Sequence, residues 1–378
     1  SFFAANSFFG TEGFQNRVDE ITNSKKIPGN KIELLKSGEL FYEKMEGLIL
    51  QAKETINLQT FIFWEDEVGE HFKDLLIERM NEGIEVNLIV DLWGTYLNSL
   101  EFMRELKNNL NFRIHFQISY KSDGLNHSFH EKYLIVDGKY CILGGANIHA
   151  VNLDRYEKKL FGESEFLPAH TDTNVFLEGP IVREIQEEFI KNWEYLGEPV
   201  PENEKEIYFP ELECFKDGID LRFVSQDYTR YRTTYINDLV EFLIKNSTES
   251  IWLESLYFSP PFTVAYDLYN ASRKGIDVKI LLNNEDFIDN KSNYSLQTLY
   301  YNLLVVNGGN IYEYYETMLH SKIGIFDDQI AVLGTFNMSF RSFFLDAECV
   351  LVVEDPEFIE ELSDYYFSRI EKSVLIKY

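Results

Sequence analysis

The chain has 378 residues, 45% of them apolar, with a mean hydropathy of −0.24, which suits two ordinary domains or one large one with a substantial core. Its formal net charge of −28 creates a long-range field that repels polyphosphate, so a general nucleic-acid binder is disfavoured. No window approaches the ~20 apolar residues that span a bilayer, and the three cysteines, Cys141, Cys214 and Cys349, form no even framework.

The opening SFFAANSFFG (1–10) is apolar but short, lacks the basic start of a secretory signal, and is set apart with the rest of 1–30 as an N-terminal segment. Phe41, Met45, Leu48, Ile49 and Ala52 recur on one helical face ahead of the strand-like ETINLQTFIF (54–63). A helical stretch then leads to the Gly-led strand GIEVNLIVD (83–91). HEKYLIVDGKYCILGGAN (130–147) places two apolar runs around an Asp-Gly turn, a hairpin signature. DTNVFLEGP (172–180) supplies a further strand. The Pro- and Glu-rich GEPVPENEKEIYFPE (197–211) interrupts the pattern, and 199–218 is expected to link two halves. Beyond it the series begins again. Ile236, Leu239, Val240, Leu243 and Ile244 share a helical face before ESIWLESLYF (249–258). GIDVKILLN (275–283), HSKIGIFDDQIAVLGTFN (320–337) and ECVLVVEDP (348–356) follow, and the tail 354–373 reads as an amphipathic helix. Matching blocks in the same order make the chain a tandem duplication, with halves at 31–198 and 219–378. The separation between copies shrinks along the chain, so extra residues are expected in the first half, around 154–170. Strands rich in Ile, Val, Leu and Phe alternating with helices predict an α-β-α sandwich in each half. Cys141 and Cys349 lie in such apolar runs as small buried thiols, which favours a reducing compartment.

The repeated core is His-x-Lys, four residues, then Asp: His130, Lys132 and Asp137, and again His320, Lys322 and Asp327. Residues i and i+2 of a strand share a face, so each histidine lies beside its lysine. The aspartates fall at odd spacing before a turn, where a structural role suits them best. Each second strand ends in Gly-x-x-Asn, with Gly144 and Asn147 or Gly334 and Asn337; glycine admits close approach, and Asn offers amide donors. Imidazole, ammonium and amide, brought twice to the end of a hairpin, suit a tetrahedral anion. Asp172 and Glu348 lie downstream in corresponding strands; each is expected to accept the Nδ1–H of the histidine in its own half. His127, three residues before His130, faces away from it and is expected in a loop or at the rim; His71 and His115 read as structural. Arg341 and Ser342 admit two readings, as pocket lining or as support for the hairpin. No HExxH or Cys/His cluster suggests a metal site.

These paired motifs resemble the phospholipase D superfamily, and the chain is most similar within it to bacterial cardiolipin synthases. The likeness runs from about Lys31 to about Ser368 and includes GTFNMSFRSFFLDAE (334–348), TNVFLEGPIVREIQEEFIKNW (173–193) and YFSPPF (257–262). There are departures. Gly145 stands where the family often has Ser or Thr, His170 and Thr171 precede Asp172 in place of Trp and Arg, and Asp346 replaces a common Asn. The resemblance implies two halves related by a pseudo-twofold with the active site at their interface. It implies catalysis without metal or other cofactor, through a covalent phosphohistidine, with His130 as nucleophile and His320 as acid; the repeat symmetry alone does not assign those roles. Lys132, Lys322, Asn147 and Asn337 are then expected to stabilise the phosphoryl oxygens.

The leading expectation is a phosphatidyltransferase that joins phosphatidylglycerol to a second alcohol-bearing phospholipid. Phospholipid hydrolysis is the same chemistry with water as acceptor. A phosphodiester nuclease and a non-catalytic membrane scaffold are the alternatives. A nuclease is expected to show a basic groove with stacking aromatics, and a scaffold would have no need of two intact motifs. The expected partner is phospholipid at a membrane surface, approached from the cytoplasm by a peripheral protein, with no nucleic acid. A monomer is favoured because both motifs lie in one chain. Because −28 repels anionic lipid at long range, a local apolar or basic patch is expected to dock, with residues 1–9 as a candidate.

Overall fold

The computed structural model describes residues 8–116, 126–154, 156–160 and 163–377. Most of the candidate docking segment 1–9, and part of the extra stretch 154–170, lie outside the described residues. The principal elements begin with α1 (Glu12–Thr22), β1 (Ile27–Leu35), α2 (Gly38–Gln51), β2 (Thr55–Thr60), α3 (Glu67–Asn81) and β3 (Glu85–Asp91). Next come α4 (Leu100–Asn109), β4 (Asn111–His115), β5 (Ser128–Phe129), β6 (Tyr133–Val136), β7 (Tyr140–Gly144), β8 (Asn174–Glu178) and α5 (Ile181–Leu196). The second series is β9 (Ile219–Asp227), α6 (Tyr235–Asn246), β10 (Ser250–Glu254), β11 (Phe258–Ser259), α7 (Phe262–Arg273), β12 (Asp277–Asn283), α8 (Lys291–Val305) and β13 (Asn310–Tyr314). It closes with β14 (Ile323–Phe326), β15 (Ile330–Gly334), β16 (Met338–Ser339), α9 (Phe340–Phe344), β17 (Asp346–Val353), α10 (Pro356–Ile370) and β18 (Ser373–Leu375).

Two compact units result. One holds Ile27–Ile219 together with Asp346–Glu348; the other holds the chain up to Lys26, Asp220–Leu345 and the chain from Cys349 on. The division departs from the boundaries expected from sequence in three places. The stretch 199–218 folds with the first unit, where the Tyr208 side chain is buried against Asn87. Helix α1 folds with the second, burying Phe14 and Val18 in the cluster that contains Val240 and Leu243. Asp346–Glu348, the start of β17, belong to the first.

The duplication is visible in the strand order. The first unit runs β4-β3-β2-β6-β7-β8-β1, with β2, β3 and β4 parallel and the remaining neighbours antiparallel. The second repeats it as β13-β12-β10-β14-β15-β17-β9 and adds β18 beside β13. In the first unit Ile56, Leu58, Val86 and Leu88 face the core with α2, α3 and α4. The other face is apolar along β6, β7 and β8, where Ile135, Cys141, Leu143, Val175 and Leu177 are buried, but is polar at one corner. There Asn57, Asn87 and Asn111 form a hydrogen-bonded ladder across β2, β3 and β4, and Gln186 of α5 bonds Asn57. Burial is tolerated because these amides satisfy one another. In the second unit α10 covers the corresponding face, where Arg369 pairs with the buried Glu254 at 2.6 Å.

Candidate active site

The first motif sits where β6 begins. Asp91, at the end of β3 and fully buried, accepts the Phe129 N–H at 2.9 Å and so fixes the residue before His130. β5 pairs parallel with the start of β17, Ser128 opposite Asp346 and Phe129 opposite Ala347. The His130 N–H then donates to Ala347 O at 3.0 Å, which sets the next residue, Glu348, beside the imidazole. His130 Nδ1 lies 3.0 Å from both carboxylate oxygens of the fully buried Glu348. The geometry assigns Nδ1–H to the carboxylate and leaves Nε2 with the nucleophilic lone pair. This corrects the assignment from the repeat, which gave Glu348 to His320 and Asp172 to His130. Strand pairing, not membership of a repeat, brings a carboxylate to this histidine. Lys132 is buried, donates to His130 O at 2.5 Å and lies 5.5 Å from the Phe61 ring centroid; that ring packs edge-on against His130.

The second motif is built in parallel. Asn283, at the end of β12, occupies the place of Asp91. It accepts the Leu319 N–H at 2.7 Å and donates to Leu319 O at 2.8 Å, clamping the residue before His320. His320 and Lys322 are buried; Lys322 Nζ lies 3.1 Å from His320 Nδ1 and also donates to His320 O. Asp91 and Asn283 were missed from sequence, yet the signal is there: GIEVNLIVD and GIDVKILLN each end in a polar residue at the same place.

The two motif aspartates work away from the histidines. Asp137 accepts the N–H groups of Lys53, Glu54 and Thr55, and Asp327 those of Thr248, Glu249 and Ser250. Each has positive φ, at 52°, as the turn requires. Their carboxylates tie the hairpin to the entry of β2 or β10. Such bonds give Asp137 and Asp327 a structural role.

Asn147 Oδ1 accepts the Ile62 N–H at 3.0 Å, while its Nδ2 is buried with no hydrogen-bond partner. An unsatisfied buried donor is costly, and this one is free to donate to an oxygen acceptor. Asn337 has Oδ1 buried and unpaired, and a half-turn of the amide would present Nδ2 there instead. Ser342 Oγ accepts the Asn337 N–H at 3.1 Å, so Ser342 supports the loop; Arg341 is half-buried on α9. Gly145 has a local reason. A Cβ there would meet Asp172 Oδ1 at 2.2 Å, whereas in the second copy the Thr335 hydroxyl occupies the corresponding space and bonds the Cys349 backbone.

His127 is buried rather than at a rim. Its Nδ1 lies 3.2 Å from His115 Nε2, and His115 Nδ1 lies 2.9 Å from Asp91 Oδ2. These rings pack on Phe129 of β5, the residue before His130. Asp66 caps α3 through the Val68 and Gly69 N–H groups and accepts the Ala150 N–H. Burial pushes its pKa up to about 6, against the opposing pull of the Gly69 and Ala150 N–H groups. Among the described residues no cluster of three or more His, Cys, Asp or Glu could hold a metal ion, and no helix is long and apolar enough to cross a membrane.

Comparison with known proteins agrees with this architecture. The family model described as cardiolipin synthase, PLD-like domain matches residues 45–193 and 240–370. The chain is 29% identical over 356 residues to a cardiolipin synthase of Alkalihalophilus pseudofirmus, covering 92% of this chain and 68% of that protein. It is 30% identical over 350 residues to cardiolipin synthase 2 of Bacillus cereus, covering 90% and 64%. The chain thus spans about two thirds of the length of these curated relatives. Among solved structures it resembles the phosphatidylserine synthase of Haemophilus influenzae, with a TM-score of 0.70 and 16% identity over 96% of this chain and 91% of that one. The polyphosphate kinase of Porphyromonas gingivalis matches with a TM-score of 0.59 and 14% identity, covering 92% of this chain and 48% of that one. Two hairpins of the same build, each with its histidine and lysine, sit in the matched spans: the chain belongs to the cardiolipin synthase, PLD-like domain family.

Proposed function

We propose that the chain is a phosphatidyltransferase of cardiolipin synthase type, working on phospholipid at a membrane surface through a covalent phosphohistidine. His130 Nε2 attacks the phosphorus of phosphatidylglycerol, and the glycerol oxygen leaves with a proton from His320. His320, now neutral, takes the proton of an incoming lipid alcohol, whose oxygen displaces His130 and gives cardiolipin. Lys132, Lys322 and the amides of Asn147 and Asn337 stabilise charge on the non-bridging oxygens. The observation that carries the reading is His130 Nδ1 held 3.0 Å from both oxygens of a buried glutamate, which fixes one tautomer and steadies the charge that forms on the ring.

The test is incubation with headgroup-labelled and acyl-labelled phosphatidylglycerol in EDTA. Cardiolipin and free glycerol, with an acid-labile acyl-labelled adduct that His130→Ala abolishes, are the expected products. Phosphatidic acid without cardiolipin would make water the acceptor. Cleavage of DNA without lipid turnover would replace the reading with a nuclease, although the net charge of −28 opposes that partner.

A further inference from the structure

The second unit carries an apolar surface that the chemistry above does not use. On α7, Phe262 is 71% and Tyr266 48% exposed; on α8, Leu296 is 46% and Leu299 72% exposed; Phe340, which opens α9, is 56% exposed. Scattered exposed apolar side chains are ordinary, but these stand on elements that pack against one another. Phe262 and Tyr266 stack at 6.1 Å. Tyr300, beside Leu299, donates to Pro260 O at 2.8 Å, tying α8 to the start of α7. β11 pairs with β16, Ser259 opposite Ser339, which brings Phe340 alongside Pro260. The same loop joins the patch to the second motif, since Asn337 stands three residues before Phe340.

Charge singles the patch out further. Charged residues make up 26% of the chain, yet 255–266, 292–312 and 335–340 contain none. For a molecule of net charge −28, an anionic lipid surface is approached at least cost where no carboxylate is carried to it. Aromatic rings and leucines without charge suit the headgroup and upper acyl layer.

We propose that this face, Phe262, Tyr266, Leu296, Leu299 and Phe340, is the surface that enters a phospholipid bilayer. The proposal rests on the reading that the substrate is a phospholipid. Insertion is apolar and opposed by the net charge, so salt strengthens it on anionic membranes, the reverse of docking through a basic patch. The test is co-sedimentation of the full chain with phosphatidylcholine vesicles and with vesicles that also contain phosphatidylglycerol. Phe262→Asp and Leu299→Asp are each expected to weaken vesicle binding about tenfold or more. Leu100→Asp, at an exposed position of the first unit, is expected to bind as wild type. All three keep turnover of detergent-dispersed phosphatidylglycerol, which also verifies their folding. Binding to the anionic vesicles is expected to rise with added salt. The proposal is overturned if both patch variants bind like wild type, if salt weakens binding, or if the substitutions convert a dimer to a monomer, which would give the face to a second copy. Vesicle binding lost in the variants while wild type turns over no lipid would leave the docking face standing and remove the catalytic reading.

Discussion

At the scale of the residue, His130 depends on a glutamate that its own repeat does not supply. Glu348→Gln keeps the size of the side chain and an acceptor for Nδ1–H, but removes the charge that, on the proposed mechanism, steadies the ring through phosphoryl transfer. The expected outcome is a fall in kcat of about 10²- to 10³-fold with KM changed less than about threefold, measured by steady-state assay on phosphatidylglycerol. An unchanged kcat would show that His130 does not need this carboxylate. Asp66 gives a second prediction. Its pKa rises from 3.8 in the unfolded chain to about 6 in the fold, so the folded state holds that proton more tightly. The stability linked to Asp66 is present at low pH and declines as pH rises through about 6. Asp66→Asn keeps an acceptor for the α3 cap and removes this dependence. Urea unfolding is expected to show the variant gaining about 1 kcal/mol relative to wild type between about pH 5 and about pH 8. His130, Lys132, His320 and Lys322 were legible in sequence because a spacing occurring twice carries more information than one occurrence. The partner of His130 was not, because β5 and β17 meet only in the folded chain.

At the scale of the element, each hairpin is held by one carboxylate. Asp137 binds three successive N–H groups at the entry to β2, and charge-assisted bonds to a backbone are stronger than neutral ones. Asp137→Ala leaves those donors unsatisfied, and the unfolding free energy is expected to fall by about 2–4 kcal/mol. Folded Asp137→Ala is expected to keep most of its kcat, because the side chain bonds none of the reacting groups. Denaturant melts and single-temperature assays together check the pair, and a large loss of kcat without loss of stability would place Asp137 in the catalytic set. Asp327→Ala follows the same reasoning in the second unit. Strands, hairpins and helices were readable from periodicity because most bury one apolar face or two. The polar corner under α5 was not. Asn57, Asn87 and Asn111 look like solvent-facing positions in a linear sequence. Only their alignment in neighbouring strands lets each satisfy the next.

At the scale of the whole molecule, the order of residues along the chain differs from the order of packing. Sequence places α1 ahead of the first repeat, but its contacts lie in the second unit, where Phe14 and Val18 are almost fully buried. Arg222 of β9, 1% exposed, donates to Ser24 O and to Asp19 Oδ1, each at 2.6 Å. Removing residues 1–24 therefore does two things. It uncovers apolar core, at about 1.5–3 kcal/mol for each large side chain, and it leaves a guanidinium without its carboxylate and carbonyl partners. Breaking a buried pair from one side costs about 3–5 kcal/mol, so the truncation is expected to lower the melting temperature of the second unit by at least about 10 °C. The charge can be separated from the packing. Arg222→Met in the full chain removes both the buried charge and its desolvation cost, and stability is expected to change by less than about 1 kcal/mol. In the truncated chain the same substitution is expected to recover about 2 kcal/mol or more, since it removes an uncompensated charge. Calorimetry on the four proteins measures this coupling directly. Equal effects of Arg222→Met in both backgrounds would mean that α1 stabilises the unit through its apolar face alone.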